Sequence, residues 1–294
     1  MHFPHLAYGT PRKLPKPAEL HGRVVVLDVA FAADMGRIRF ANTTERFIKA
    51  LGPRLAMWID HHDHQMHHRY ASDPRFVLRT KAQHGACPEL VTPERVTWAG
   101  HVDTICCHVD FDGLCSAAKW IRGGHEPYAG ADADARAIDT RMGEPSPRAA
   151  LIDQALRARP RDDGLKGMVV RFLAQGAADL GVLRDIEAIA GQMAALEAQS
   201  QRLAQGYRIV QGVAICDARQ RSGPYEKTSL LLLGQERAAI AVVHDESAVT
   251  VAARFDSGID LLSTLGLSGG MPTRVSVHAD KLADVLRRLG VDPD

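Results

Sequence analysis

Three short apolar segments restrict the fold of this chain more than any other feature. They are rich in residues that favour strands, and they cover residues 23–27, 55–59 and 103–107. A helical pattern with Phe47, Ile48 and Leu51 on one face separates the first segment from the second. A strand, a helix and a further strand form a βαβ unit, in which the strands lie parallel. The sequence therefore predicts an α/β fold, with a parallel sheet and helices on both of its faces.

Each apolar segment ends at a carboxylate or an imidazole. Asp28 follows the first segment, Asp60, His61 and His62 follow the second, and His108 follows the third. The carboxyl ends of parallel strands lie at one edge of a sheet, where open α/β folds bind their ligands. We therefore expect these side chains to share a site.

The third segment continues into an alternating motif of His108, Asp110 and Asp112, closed by Gly113. Alternate residues of an extended segment point the same way, so these three side chains should converge before the chain turns at Gly113. A set rich in carboxylates with a few imidazoles suits Mn²⁺ or Mg²⁺ better than structural zinc. Two such ions about 3.5–4 Å apart can hold a phosphoryl group and activate water.

A further carboxylate is expected from the segment rich in Ala and Asp at residues 130–140. Asp139 is the first candidate, and Asp132 and Asp134 are alternatives.

These motifs together resemble the signature motifs of the DHH phosphoesterases, which include RecJ-type exonucleases, nanoRNA and cyclic-dinucleotide phosphodiesterases, and family II pyrophosphatases. The matching segments are residues 26–28, 59–62, 108–113 and 138–140. In the family the HxDxDG motif ordinarily precedes the Asp-His-His motif, whereas here it follows, so the first domain resembles a circularly permuted member. Strands of a parallel sheet contribute to one edge in any chain order.

The resemblance implies two manganese ions. One would be held by Asp28, His108 and Asp110, and the other by Asp28, His61, Asp112 and Asp139. Asp28 would bridge the two ions. The catalytic residues would be Asp60, which orients neighbouring groups, and His62, which contacts the substrate phosphate.

The length of 294 residues predicts two domains. We expect a metal-binding catalytic domain at residues 1–205, with a proline-containing extended arm at residues 1–22 and one linking helix at residues 186–205. Residues 206–294 contain several strand patterns and a closing helix, which predict a smaller α+β domain.

The smaller domain resembles a degenerate DHHA1-type domain, which caps the active site in this family. Arg254 follows a strand-like segment and would bind a phosphate, and the amides around Gly269 and Gly270 would cradle an anion. The family usually has a His after these glycines, and this chain has Met271. Arg274 would offer a charge nearby, so it completes the predicted substrate-binding set.

Composition restricts the partners of the chain. Lys and Arg number 36 against 35 for Asp and Glu, so the net charge is +1. The chain has no overall attraction to nucleic acid, which argues against a long duplex as substrate. No apolar run approaches the roughly 20 residues that span a bilayer, and the first residues lack the apolar core of a signal peptide. We expect a cytoplasmic protein with no membrane partner; its oligomeric state, a homodimer included, stays open.

The predicted function is hydrolysis of phosphodiester bonds in short oligonucleotides or small nucleotides, through activation of water by two metal ions. Mn²⁺ is the expected cofactor, and Mg²⁺ is its substitute. A pyrophosphatase and a phosphatase for 3′,5′-bisphosphate nucleotides are alternatives within the hydrolases. The altered glycine loop adds a non-catalytic nucleotide-binding protein as an alternative from another class.

Overall fold

The computed structural model of the chain describes residues 3–35, 37–221 and 223–292. The chain divides into two compact units, Met1–Ala190 and Gly191–Asp294. Each unit contains a sheet of five strands.

The sheet of the first unit is parallel. The extended segments of this unit are β1 (His5–Tyr8), β2 (Val24–Leu27), β3 (Leu55–Asp60), the two-residue β4 (Asp63–His64), β5 (Phe76–Leu78) and β6 (Thr104–Cys107). The strand order is β1-β6-β2-β3-β5, and all neighbours are parallel. Leu27 is in register with Ile59 on one side and with Cys107 on the other. The carboxyl ends of β2, β3 and β6 therefore lie side by side.

Helices cover both faces of this sheet. They are α1 (Thr44–Leu51), α2 (Pro93–Ala99), α3 (Phe111–Ile121), α4 (Ala131–Thr140), α5 (Pro147–Ala158), α6 (Asp163–Ala174) and α7 (Leu180–Ala190). Val25 and Leu27 of β2 belong to the apolar core that contains α3, whereas Val24 and Val26 belong to the core that contains α1. Alternate residues of a strand point to opposite faces, so β2 is buried on both sides. The predicted α/β class with helices on both faces is confirmed.

The second unit is a smaller α+β structure, as predicted. Its elements are α8 (Met193–Ala204), β7 (Arg208–Val210), β8 (Val213–Asp217), α9 (Lys227–Gln235), β9 (Ile240–His244), β10 (Ala248–Ala253), α10 (Leu261–Leu265), the two-residue β11 (Gly269–Gly270), β12 (Arg274–His278) and α11 (Leu282–Arg288). The strand order is β12-β10-β9-β8-β7, and only the β8–β9 pair is parallel. Throughout the described ranges, no helix has both the length and the apolar character needed to cross a bilayer.

The segment predicted as an extended arm, residues 1–22, includes a strand of the parallel sheet. Residues His5–Tyr8 form β1, which pairs with β6 at the edge of the parallel sheet. The backbone N–H of His5 donates to Asp103 O at 2.8 Å, and that of Gly9 donates to Cys107 O at 3.0 Å. The predicted extended arm therefore contains an edge strand of the parallel sheet.

The predicted single helix at residues 186–205 is two helices in the structure. Helix α7 ends at Ala190 and α8 begins at Met193. Gly191 lies at the break, where the low helix propensity of glycine favours an interruption. The two compact units also divide between Ala190 and Gly191, which is one helix earlier than the predicted boundary at residue 205. The catalytic and substrate-binding roles assigned to the two domains stay predictions.

Candidate metal centre

Three neighbouring strands bring predicted ligands to one edge of the sheet. Asp28 follows β2, His61 follows β3 and His108 follows β6. Asp28 and His61 are buried, with 1% and 0% of their surface exposed. His61 Nδ1 lies 3.0 Å from the carbonyl oxygen of His84. A carbonyl oxygen only accepts hydrogen bonds, so Nδ1 carries the hydrogen and Nε2 is the nitrogen that serves the site.

Asp28 has an unusual backbone conformation. Its φ of +59° lies in the left-handed region, which residues other than glycine rarely adopt. Strain of this kind costs on the order of 1 kcal/mol, and it persists where the surrounding structure imposes it. The resulting turn places Asp28 Oδ1 3.2 Å from His61 Nε2 and Asp28 Oδ2 3.7 Å from His108 Nδ1.

The start of α3, rather than an extended strand, brings the third motif together. Strand β6 ends before His108, and Asp110 is the N-cap of α3, where its side chain accepts a hydrogen bond from the backbone N–H of Gly113 at 3.2 Å. Asp112 lies in the first turn and accepts from the Cys87 backbone N–H at 3.0 and 3.2 Å. A Cβ at Gly113 would lie 2.7 Å from the backbone oxygen of His108. Only glycine fits this close approach. Because α3 begins at Phe111, the expectation of an extended motif is wrong, although the side chains of the motif converge.

The six predicted metal ligands lie together, and we call them the strand-end cluster. The first donor group is Asp28, His108 and Asp110, and the second donor group is His61, Asp112 and Asp139. A further group combines Asp28 with His61 and His62. In each of these groups the donor atoms lie within 4.8 Å of one another. Asp28 is adjacent to both donor groups, since its two oxygens face different histidines.

Asp139 is the acidic residue of α4 that joins the cluster. The alternatives have other partners. Asp132 Oδ2 lies 2.5 Å from Lys119 Nζ, and Asp134 Oδ2 accepts a hydrogen bond from the Tyr128 hydroxyl at 2.7 Å. Asp134 lies on another face of α4, and Asp132 lies on the same face as Asp139 but about two turns earlier, where it meets Lys119.

Negative charge is in excess in the strand-end cluster. Burial and the neighbouring Asp112 raise the pKa of Asp28 above its ordinary value. Burial and a nearby lysine oppose positive charge on His61, but Asp112 and Asp28 outweigh them and raise its pKa to about 10. Burial also opposes charge on His108, but Asp110 and the other aspartates raise its pKa to about 9. The cluster therefore favours added positive charge, which protons or metal cations can supply.

The residues fit a divalent metal ion. Within the described residues, Asp28 Oδ1 and Asp60 Oδ2 are buried and accept no well-directed hydrogen bond, although His61 Nε2 lies 3.2 Å from Asp28 Oδ1. A buried acceptor without a donor costs about 1–3 kcal/mol, and more when it is charged. A cation beside Asp28 would offset that cost. Carboxylate oxygens and imidazole nitrogens are ligands that Mn²⁺ and Mg²⁺ accept.

Asp60 and His62 form a pair beside the cluster. His62 Nδ1 lies 2.9 Å from Asp60 Oδ1 and 3.8 Å from Asp28 Oδ1. Burial opposes charge on Asp60, but His62 holds the pKa of this carboxyl below its ordinary value. Burial lowers the pKa of His62 by more than Asp60 raises it. Asp60 therefore orients the ring of His62 and leaves its Nε2 atom for another partner.

Lys81 also lies in the cluster, and the sequence motifs do not include it. Its side chain is 2% exposed, and it forms an ion pair with Asp139. Its Nζ lies 3.0 Å from His61 Nε2. Lys81 follows β5, whose carboxyl end is at the same edge as that of β3. The short apolar run at residues 76–78 was the signal that could have found it, because a strand there brings the residues after it to the cluster.

The predicted substrate-binding residues of the second unit are Arg254, Gly269, Gly270 and Arg274. The exposed guanidinium of Arg254 pairs with Asp256 at 2.9 Å. Gly270 has a φ of +130°, which a residue with a side chain would adopt only with strain. Arg274 Nη1 donates to Thr228 Oγ1 at 3.2 Å. The part of these residues in substrate binding stays a prediction.

Comparisons with known proteins add little to this geometry. No protein-family model matches the chain, and no curated protein matches it. Among solved structures, it is similar to PggH, a pGpG-specific phosphodiesterase from Vibrio cholerae, with 10% identity and a TM-score of 0.37 over 52% of this chain and 63% of that chain. It is also similar to an uncharacterized protein from Helicobacter pylori G27, with 12% identity and a TM-score of 0.23 over 92% of this chain and 84% of that chain. The first match spans less than two thirds of the Vibrio protein, and neither score is high enough to carry an argument.

Proposed function

We propose that the chain is a metal-dependent phosphoesterase of the DHH type that hydrolyses phosphodiester bonds in short oligonucleotides or small nucleotides. The observation that carries the proposal is the position of Asp28. Its carboxylate lies 3.2 Å from His61 Nε2 and 3.7 Å from His108 Nδ1, so it adjoins both donor groups. The motif resemblance assigns a bridging ligand to this residue.

Mn²⁺ is the proposed ion, with Mg²⁺ as its substitute. Each donor group offers two carboxylates and one imidazole. When bound there, a divalent ion supplies an activated water nucleophile and offsets charge on the phosphoryl oxygens. Donors on adjacent strand ends are held in place before substrate binds, which lowers the cost of assembling the site.

Asp60 and His62 would bind the phosphate as a pair. Asp60 Oδ1 holds Nδ1 of the His62 ring at 2.9 Å, so Nε2 is available to a substrate. An approaching phosphate anion favours the protonated ring, which then donates from Nε2 to a phosphate oxygen. The Asp60 carboxylate stabilises the positive charge of that ring.

A short substrate agrees with the charge of the chain. Long nucleic acids are bound through many Lys and Arg contacts, and the net charge here is only +1. In the proposal, a few local groups of the second unit bind the substrate phosphates. These groups are Arg254, Arg274 and the backbone amides of Gly269 and Gly270.

The test is a panel of substrates incubated with the protein and Mn²⁺ and read by chromatography. The panel contains pGpG, a second dinucleotide, a longer single strand, a duplex, pyrophosphate and a 3′,5′-bisphosphate nucleotide. We expect mononucleotide from the dinucleotides, no product from the duplex, and no product when a chelator replaces Mn²⁺. The proposal would be contradicted if the wild-type protein cleaved no phosphodiester of the panel faster than an Asp28→Asn variant does.

The same panel separates the alternatives. Phosphate released from pyrophosphate or from the bisphosphate, with the dinucleotides intact, would indicate a phosphatase. Thermal stabilisation by a nucleotide without any product in Mn²⁺ would indicate a nucleotide-binding protein that has no catalytic activity.

A further inference from the structure

Lys81 occupies a position that a second metal ion would need. His61 Nε2 and Asp139 Oδ2 are 4.0 Å apart. A divalent ion binds such atoms at about 2.0–2.2 Å, so an ion bound to both must lie close to the line between them. Lys81 Nζ contacts both atoms, with 3.0 Å to His61 Nε2 and an ion pair to Asp139. The ammonium group and an ion cannot share this space.

The first donor group has no such occupant. Asp28 Oδ1 accepts no well-directed hydrogen bond in the described ranges. Within the same ranges His108 Nδ1 pairs with Asp110 Oδ2 at 2.9 Å, and neither Asp28 nor Asp110 forms an ion pair with a lysine or an arginine. The two donor groups therefore differ. One contains a buried lysine, and the other offers its carboxylates to an added cation.

We propose that the ammonium group of Lys81 takes the place of one of the two metal ions. The chain then binds a single divalent ion, at the first donor group. This inference rests on the proposed function, because it assigns the number of ions to the same site. It also changes the expectation of two ions drawn from the sequence motifs. The backbone of Lys81 is held in place, since its N–H donates to Asp63 Oδ2 at 3.1 Å. The side chain of Lys81 is almost fully buried. If it moved out of the cluster, its ammonium group and the Asp139 carboxylate would each lose their ion-pair partner.

The test is the stoichiometry of Mn²⁺ binding to the metal-free protein, measured by titration calorimetry and by electron paramagnetic resonance. We expect one Mn²⁺ per chain and the spectrum of an isolated ion. Lys81→Met removes the charge but keeps an apolar chain of similar length, and Lys81→Gln is a second variant with a polar end. We expect both variants to bind two Mn²⁺ per chain and to show the spectrum of a magnetically coupled pair.

Lys166 provides the matched control. It is also buried, with 4% of its surface exposed, and it pairs with Asp163 at 2.7 Å on α6, outside the strand-end cluster. Lys166→Met should keep one Mn²⁺ per chain. Two ions in this control would show that loss of any buried lysine opens a site, and would overturn the assignment to Lys81.

The wild-type titration is decisive even where a variant does not fold. Two Mn²⁺ per wild-type chain would overturn this inference and leave the proposed function standing. One ion in both the wild type and a folded Lys81 variant would also overturn it. No binding at all would overturn this inference together with the proposed metal dependence, so the two failures are distinguishable.

Discussion

Asp28 belongs to the first donor group and lies beside His61 of the second. Replacing it with Asn keeps its shape and removes one charge from a buried cluster in which Asp112 raises its pKa. We expect metal-free Asp28→Asn to melt at or above the wild-type temperature, because a repulsion between buried carboxylates is gone. We expect its hydrolysis in Mn²⁺ to fall by at least about 10²-fold, because a ligand is lost. Calorimetry and the dinucleotide assay measure the two effects.

Asp185→Asn is the control for this prediction. Asp185 lies exposed on α7 of the same unit and lies outside the cluster. The control should match the wild type in both measurements. An Asp28→Asn protein that hydrolyses at the wild-type rate would show that this carboxylate is not a required ligand. One that unfolds while the control folds would show that the carboxylate is structural.

Gly113 is the residue whose substitution should distort the cluster through the backbone. An added methyl group would lie 2.7 Å from the backbone oxygen of His108 and 2.8 Å from its Cβ. We therefore expect Gly113→Ala to lower the free energy of unfolding by about 1–3 kcal/mol, as overpacking does, and to weaken Mn²⁺ binding. Urea denaturation measures the first effect. Gly223→Ala, where nothing lies within 4 Å, is the control, and equal losses in the two variants would refute this reading.

At this scale the sequence predicts the positions of the candidate ligands better than their surroundings. Asp28, His61 and His108 follow apolar runs, so their positions at the strand ends could be inferred. Lys81 was missed because the strand before it has only three residues, so its apolar run is a weak signal. The His84 carbonyl that orients the His61 ring is equally invisible, since backbone atoms carry no sequence signature.

At the scale of elements, the turn between β9 and β10 depends on Asp245. Its Oδ1 accepts hydrogen bonds from the backbone N–H groups of Ser247 and Ala248 at 2.9 Å, and its Oδ2 pairs with Lys227 at 2.5 Å. Burial opposes ionisation of Asp245, but these partners lower its pKa below the ordinary value of 3.8. A carboxyl group whose pKa falls on folding stabilises the fold at a pH above its pKa in the unfolded chain.

We therefore expect Asp245→Asn to destabilise the protein by about 1–3 kcal/mol at pH 7. The difference from wild type should narrow as the pH falls below about 3.8, because protons then bind the unfolded chain first. Denaturant unfolding at several pH values measures it. Asp280→Asn, an exposed residue 65% accessible at its side chain, should show no such dependence. A difference that stays constant or widens toward low pH would contradict the charge argument.

Two elements show why sequence patterns did not give the whole fold. Strand β1 has four residues at an edge, and its pairing with β6 depends on chain that lies about a hundred residues away, which no local pattern records. The break between α7 and α8 is local, but a single glycine in a helical pattern is often tolerated, so its effect depended on packing.

At the scale of the whole molecule, chain order and spatial order differ. The strand order β1-β6-β2-β3-β5 places β2 between β3 and β6, which carry the other two motifs. Along the chain, β6 is the last strand of this sheet. The permuted motif order is therefore compatible with one site. The sequence could predict this edge because parallel strands end together. It could not identify the ligand of the second unit, since Met271 offers neither a charge nor an imidazole to recognise one.

The most direct test of the strand-end cluster as a metal centre is anomalous diffraction from crystals soaked in Mn²⁺. We expect a peak within coordination distance of Asp28, His108 and Asp110, and none at that position after Asp28→Asn. Crystals that bind Mn²⁺ elsewhere and show no peak among these three residues would contradict the metal centre.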